Sequence, residues 1–119
     1  MKFLAALAVI IVALLHFGFL ALEMFYWDHP IGQKIFSMTP EQSFETAALA
    51  ANQGLYNGFL AAGLLWSVIT RKTDVVIFFL LCAVVAGIFG AVTAKPTILL
   101  IQAAPAALAL LLTALAGRR

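Results

Sequence analysis

A histidine, a glutamate and several carboxamides sit in stretches of this chain that are otherwise apolar. His16 and Glu23 are seven residues apart, two turns up one helical face, while Gln53 and Asn57 are four apart and share a face of another helix. Asn52 adjoins them, Thr93 closes the string GIFGAVT, and Gln102 lies in IQAAP. Few chemistries suit this set. A carboxyl inside a membrane is by default a functional candidate, so Glu23 is read as a proton carrier or general acid, with His16 as a second titrating group. The amides supply hydrogen bonds that orient a ligand. His16 and Glu23 lie too far apart along the axis to hold one metal without further ligands. There is no HExxH, CxxC, P-loop or serine elbow, and two widely separated histidines do not make a bis-His haem site. No metal and no cofactor is expected.

The elements that carry these residues follow from composition. Of 119 residues 65% are hydrophobic and 10% charged, against about 25% charged in a soluble domain. Apolar stretches at 3–22, 46–69, 75–93 and 97–116 each approach or exceed the roughly 20 residues that cross a hydrocarbon core. They imply spans at about 3–27, 40–70, 74–94 and 96–116 in one all-α domain over 1–119. The first apolar run is longer than the roughly 7–15 residues of a secretory signal core and continues into Glu23 and Phe25-Tyr26-Trp27, so it is read as retained. Cys82 is the only cysteine, which rules out an intrachain disulfide.

Local signals set the boundaries. Tyr26 and Trp27 form an interfacial belt, Asp28-His29-Pro30 breaks the first helix, and Ile31, Ile35 and Phe36 beside Gln33 and Lys34 suit a short segment on the outer face. Thr39 as N-cap, Pro40 at the first helical position and Gln42 completing a capping box open the second helix. Asp74 suits the start of the third, Lys95-Pro96 closes it, and Gly117 ends the fourth. Short connections between helices two and three and between three and four make antiparallel neighbours, hence an up-down four-helix transmembrane bundle. Lys2, Arg71, Lys72, Arg118 and Arg119 fall on one side and only Lys34 and Lys95 on the other, which puts both termini in the cytoplasm. The basic residues form no stripe of the kind nucleic acid requires.

Counting 1.5 Å per residue from Trp27, Phe44, Lys95 and Pro96 as outer limits puts Glu23 about 6 Å and His16 about 16 Å down. Asn52 and Gln53 fall at about 12–14 Å, Asn57 at about 20 Å, Gln102 at about 9 Å and Thr93 at about 3 Å. Unsatisfied amides are costly in hydrocarbon, so these side chains are expected to turn inward around a shared polar pocket in the outer half of the bilayer. Gly54 and Gly58 form a GxxxG step, Gly87 and Gly90 admit a close neighbour, and Pro105 inside the fourth helix cannot donate to the carbonyl of Ile101.

The strings LHFGFLALEMFYW (15–27), LAANQGLYNGFLAAGL (49–64), GIFGAVT (87–93) and ILLIQAAPAALAL (98–110) resemble the small integral-membrane proteins of domain-of-unknown-function family 1304. The resemblance covers nearly the whole chain and NQGLYNG is its most specific part; Phe89 stands where the family's glycine-rich third-helix motif has tyrosine. It implies a multi-pass membrane protein and supplies no activity. The small multidrug-resistance transporters are similar in length, span count and helix-one glutamate, an architectural analogy only.

The resulting expectation is a multi-pass inner-membrane protein that binds or moves a small or amphipathic molecule through His16, Glu23, Asn52, Gln53, Asn57, Thr93 and Gln102. The alternatives are an intramembrane enzyme acting on a lipid-like substrate with Glu23 and His16 as acid and base, and a structural subunit docking through its GxxxG face. Expected partners are membrane lipid and a small amphipathic ligand, with no nucleic acid; the sequence also allows a homo-oligomer.

Overall fold

An uninterrupted apolar run has no reason to leave the helix until its backbone is forced out. In the computed structural model, which describes residues 2–117, the first run forms α1, Phe3–Met24. It ends three residues before the expected boundary at 27. Phe25 still donates its backbone N–H to Ala21, but the chain then turns toward Pro30, and His29, as the residue before a proline, is extended at φ −150° and ψ 151°. Pro30 opens the six-residue α2, Pro30–Ile35, and the His29 Nδ1 caps it by accepting the Ile31 N–H at 3.1 Å. The remaining helices are α3, Pro40–Ile69, α4, Thr73–Thr93, and α5, Ala104–Ala116, the last preceded by a π-helical turn at Leu99–Ala103. No strand occurs among the described residues. Arg118 and Arg119, part of the charge bias, lie outside them.

The chain forms two compact units. One holds the chain up to Leu15 and from Leu60 onward; the other is His16–Phe59.

In the first unit α4 lies against the π turn and α5 over a core of small and branched residues that includes Val76, Leu80, Ala83, Ala106 and Ala109. Gly87 sets the approach, since a Cβ there would stand 2.6 Å from the backbone nitrogen and 2.7 Å from the Cβ of Ala103. The π turn answers the proline problem. Pro105 has no N–H to give Ile101, and the ladder slips by one residue just before it, so that the Ala104 N–H reaches back five residues to Leu99. Pro105 therefore lies inside a continuous helical stretch, Leu99–Ala116, as expected, and the π turn just before it absorbs the missing donor. The end of α3 turns through Arg71 in the left-handed region, φ 57°, with Arg71 bonding back to Val68 and Lys72 to Ser67, a Schellman closure made without glycine.

In the second unit the capping box forms as expected: the Thr39 N–H donates to Gln42 Oε1 at 2.9 Å and the Gln42 N–H to Thr39 Oγ1 at 3.1 Å. Ser43, fully buried, ties three segments together by donating to Asp28 Oδ1 at 2.7 Å and accepting from Gln33 Nε2 at 3.1 Å. Trp27 Nε1 donates to Thr46 Oγ1 at 2.8 Å beside it. These bonds seat α2 on the first turns of α3.

Three helical stretches, Phe3–Met24, Thr73–Thr93 and Leu99–Ala116, are long and apolar enough to cross a membrane. Their outward faces carry side chains such as Phe3, Phe78 and Val92, exposed by 77%, 61% and 81%, the arrangement expected where lipid is the solvent. α3 is longer at 30 residues but, with Glu41, Glu45 and its amides, does not meet that level of apolarity.

The packing makes three substitutions informative about stability. Gly87→Leu is expected to lower the thermal midpoint in detergent, at a cost of about 1–3 kcal/mol from overpacking against Ala103. Gly18→Ala, at a helical position with nothing within 4 Å, is expected to leave the midpoint unchanged or raise it by up to about 1 kcal/mol equivalent; the reverse order would contradict the α4 packing. The Thr113 hydroxyl is buried without a hydrogen-bond partner among the described residues. Thr113→Val, measured the same way, is therefore expected to stabilise rather than destabilise.

Candidate functional site

The sequence places two glycines one turn apart on α3, and the structure uses both against α1. A Cβ on Gly54 would stand 2.7 Å from Met24 Cγ and 3.0 Å from Glu23 Cβ, and one on Gly58 would stand 2.5 Å from Leu20 Cδ1. At these two positions side chains of α1 lie directly on the backbone of α3. Asn57, on the same face, is 8% exposed, and its Nδ2 donates to Oε1 of the half-buried Glu23 at 2.5 Å. Among the described residues no hydrogen bond engages the second carboxyl oxygen of Glu23 or the amide oxygen of Asn57. Both atoms are acceptors, so the chemistry complementary to them is that of a donor such as a hydroxyl or an ammonium group.

This pairing corrects the depth count. Counting along straight helices from Trp27 and Phe44 separates Glu23 and Asn57 by about 14 Å, yet they touch. α1 has already ended at Met24, so Trp27 is no measure of its depth, and the opening turns of α3 stand beside α2 instead of in the layer counted.

The other expected site residues fare differently. His16 is buried, 1% exposed, with its ring edge-on to Phe19 at 5.1 Å between centroids. It lies on α1 two turns from Glu23, about 10 Å along the axis. Asn52 and Gln53 do not turn inward: both stand exposed, and no hydrogen bond reaches their side chains among the described residues. The buried face of α3 is filled by Ala50, Gly54, Asn57 and Gly58, which leaves the two preceding amides outside. Thr93 and Gln102 belong to the first unit. Thr93 is exposed and its hydroxyl donates to the Phe89 carbonyl at 2.7 Å, while Gln102 is half-buried in the π turn. Sequence reasoning passed over Ser43, whose buried hydroxyl fixes the segment leading into the site; its bond to Asp28, fifteen residues away, leaves no signal in the local spacing.

Against known proteins, the model of the family described as "Protein of unknown function (DUF1304)" matches residues 10–114, a range that contains every residue discussed here. The chain is also 28% identical over 115 residues to the "Uncharacterized protein YpaA" of Lactococcus lactis subsp. lactis (strain IL1403), covering 93% of this chain and 97% of that one. No solved structure matches. A family match running from the middle of α1 almost to the end of α5 leaves little of the chain outside it, and the protein belongs to the DUF1304 family.

Proposed function

We propose that the chain is a multi-pass protein of the inner membrane in which α3 serves as a fourth span, the helices run up and down with both termini cytoplasmic, and the Glu23–Asn57 couple binds a small or amphipathic molecule for transport. The observation that carries this reading is the hydrogen bond from Asn57 to Glu23, held between helices brought together by Gly54 and Gly58. An ionisable residue inside a membrane is costly, which makes a carboxyl placed there a functional candidate. The acceptors left over on Glu23 and Asn57 favour a cationic or hydroxyl-bearing ligand, or a proton exchanged for one. Lys2, Arg71 and Lys72 against Lys34 and Lys95 support the orientation.

The rival readings have less to stand on. An acid–base enzyme needs His16 to reach a substrate, and its ring is buried against Phe19 two turns from the carboxyl. Docking of a foreign helix on the GxxxG step meets an occupied face, because Leu20, Glu23 and Met24 of α1 already lie there.

The test is flux in liposomes with tetraphenylphosphonium as a lipophilic cation probe, the membrane potential clamped at zero and an outward proton gradient imposed. Wild-type protein is expected to drive uptake, Glu23→Gln to fall to the level of protein-free liposomes, and Asn57→Ala to fall between them. Equal uptake by wild type and Glu23→Gln would remove the carboxyl from the mechanism.

A further inference from the structure

The exposed side of α3 carries a pattern that the Glu23–Asn57 site does not use. Leu49, Asn52, Tyr56 and Phe59 follow one another at spacings of three, four and three residues, the 3.5-residue period of a helix seam that packs against another helix. Leu49, Tyr56 and Phe59 are exposed by 75%, 60% and 56%, and Asn52 is exposed between them. Tyr56 and Phe59 stand edge to face at 5.6 Å, a preformed aromatic ledge on that side. The helix is thus two-faced: glycine, alanine and Asn57 toward α1, and a seam with one central amide pointing away.

From this pattern we infer that α3 is a homodimer interface, in which Asn52 pairs with the Asn52 of a second copy of the chain. The inference rests on the reading above that α3 lies in the membrane. In hydrocarbon a bare carboxamide is penalised until it finds a partner, and no hydrogen bond reaches Asn52 among the described residues. A carboxamide is its own complement, one donor edge and one acceptor edge, so two of them related by a two-fold axis close two hydrogen bonds at once. Copies inserted in the same orientation are related by an axis along the membrane normal, which sets identical residues of α3 at identical depth. A single asparagine within an otherwise apolar and aromatic seam fixes register and favours one oligomeric state. A foreign partner would need an amide at the matching depth, whereas a second copy supplies it necessarily. Glu45, one step further out on the same face, would meet its own like charge, so the seam opens there toward the headgroups.

The experiment is oxidative cross-linking in native membranes of the full chain carrying Cys82→Ser, with single substitutions Leu49→Cys, Asn52→Cys, Tyr56→Cys and Phe59→Cys. Leu55→Cys, on the flank of α3, and Phe78→Cys, on the exposed face of α4, are the comparisons. A covalent species of twice the chain mass is expected at the four seam positions, with yields at least about fivefold above the two comparisons, the periodicity of a packed seam. In a separate measurement by energy transfer in liposomes, Asn52→Leu is expected to raise the dimer dissociation constant about fivefold while the folded fraction is unchanged. Equal yields at all positions, a cross-linked species of any other mass, or no effect of Asn52→Leu would overturn the inference. Labelling of Asn52→Cys by a membrane-impermeant maleimide separates the causes. Protection without cross-linking rejects the dimer alone, whereas labelling as fast as at Lys72→Cys rejects both the dimer and the placement of α3 in the membrane.

Discussion

An amide donating to a carboxyl inside a low-dielectric layer gains more than the same bond in water, and loses more when the partner is withdrawn. The bond from Asn57 to Glu23 joins a buried amide to a half-buried carboxyl, and it makes a geometric demand: α1 and α3 must approach closely enough for two short side chains to meet. Gly54 and Gly58 meet that demand by leaving room for Leu20, Glu23 and Met24 where any Cβ would collide. The neighbouring bonds serve the same end. Ser43 holding Asp28 and Gln33, with Trp27 on Thr46, fixes how the chain leaves α1 and enters α3, and so the register in which the glycines face Leu20.

Packing elsewhere uses the same means with no polar group to position. Alanines and a glycine line the contact of α4 with the π turn and α5, while phenylalanines, leucines and valines point outward. Where lipid is as apolar as the side chains, burying large residues between helices brings little net gain; close contact through small ones brings dispersion energy instead. The π turn before Pro105 belongs to this economy, since slipping the ladder by one residue keeps a proline-bearing helix continuous enough to pack.

Much of this was legible in the residues. Long apolar runs, the Thr39–Gln42 capping box, the proline breaks and the GxxxG step each have a local cause, and each appears where its cause predicts. What could not be read was anything set by register between helices. Depth counted along an ideal axis parted Glu23 from Asn57, because the end of α1 at Met24 and the outer turns of α3 depend on the Ser43 and Trp27 contacts, which no spacing rule foretells. The same blindness sent Asn52 and Gln53 inward with Asn57: three amides within two turns look like one cluster, but a helix has two sides, and 100° per residue sets Asn52 opposite the glycines.

The proposed site requires that Glu23 and Asn57 meet when the protein is in lipid. Solid-state magnetic resonance on protein in lipid, with the Glu23 carboxyl carbon and the Asn57 side-chain nitrogen isotopically labelled, measures that separation directly. A distance below about 4 Å is what a single hydrogen bond between the groups requires. A separation beyond about 6 Å would mean that the helices pack in another register and that the acceptor site described here does not form.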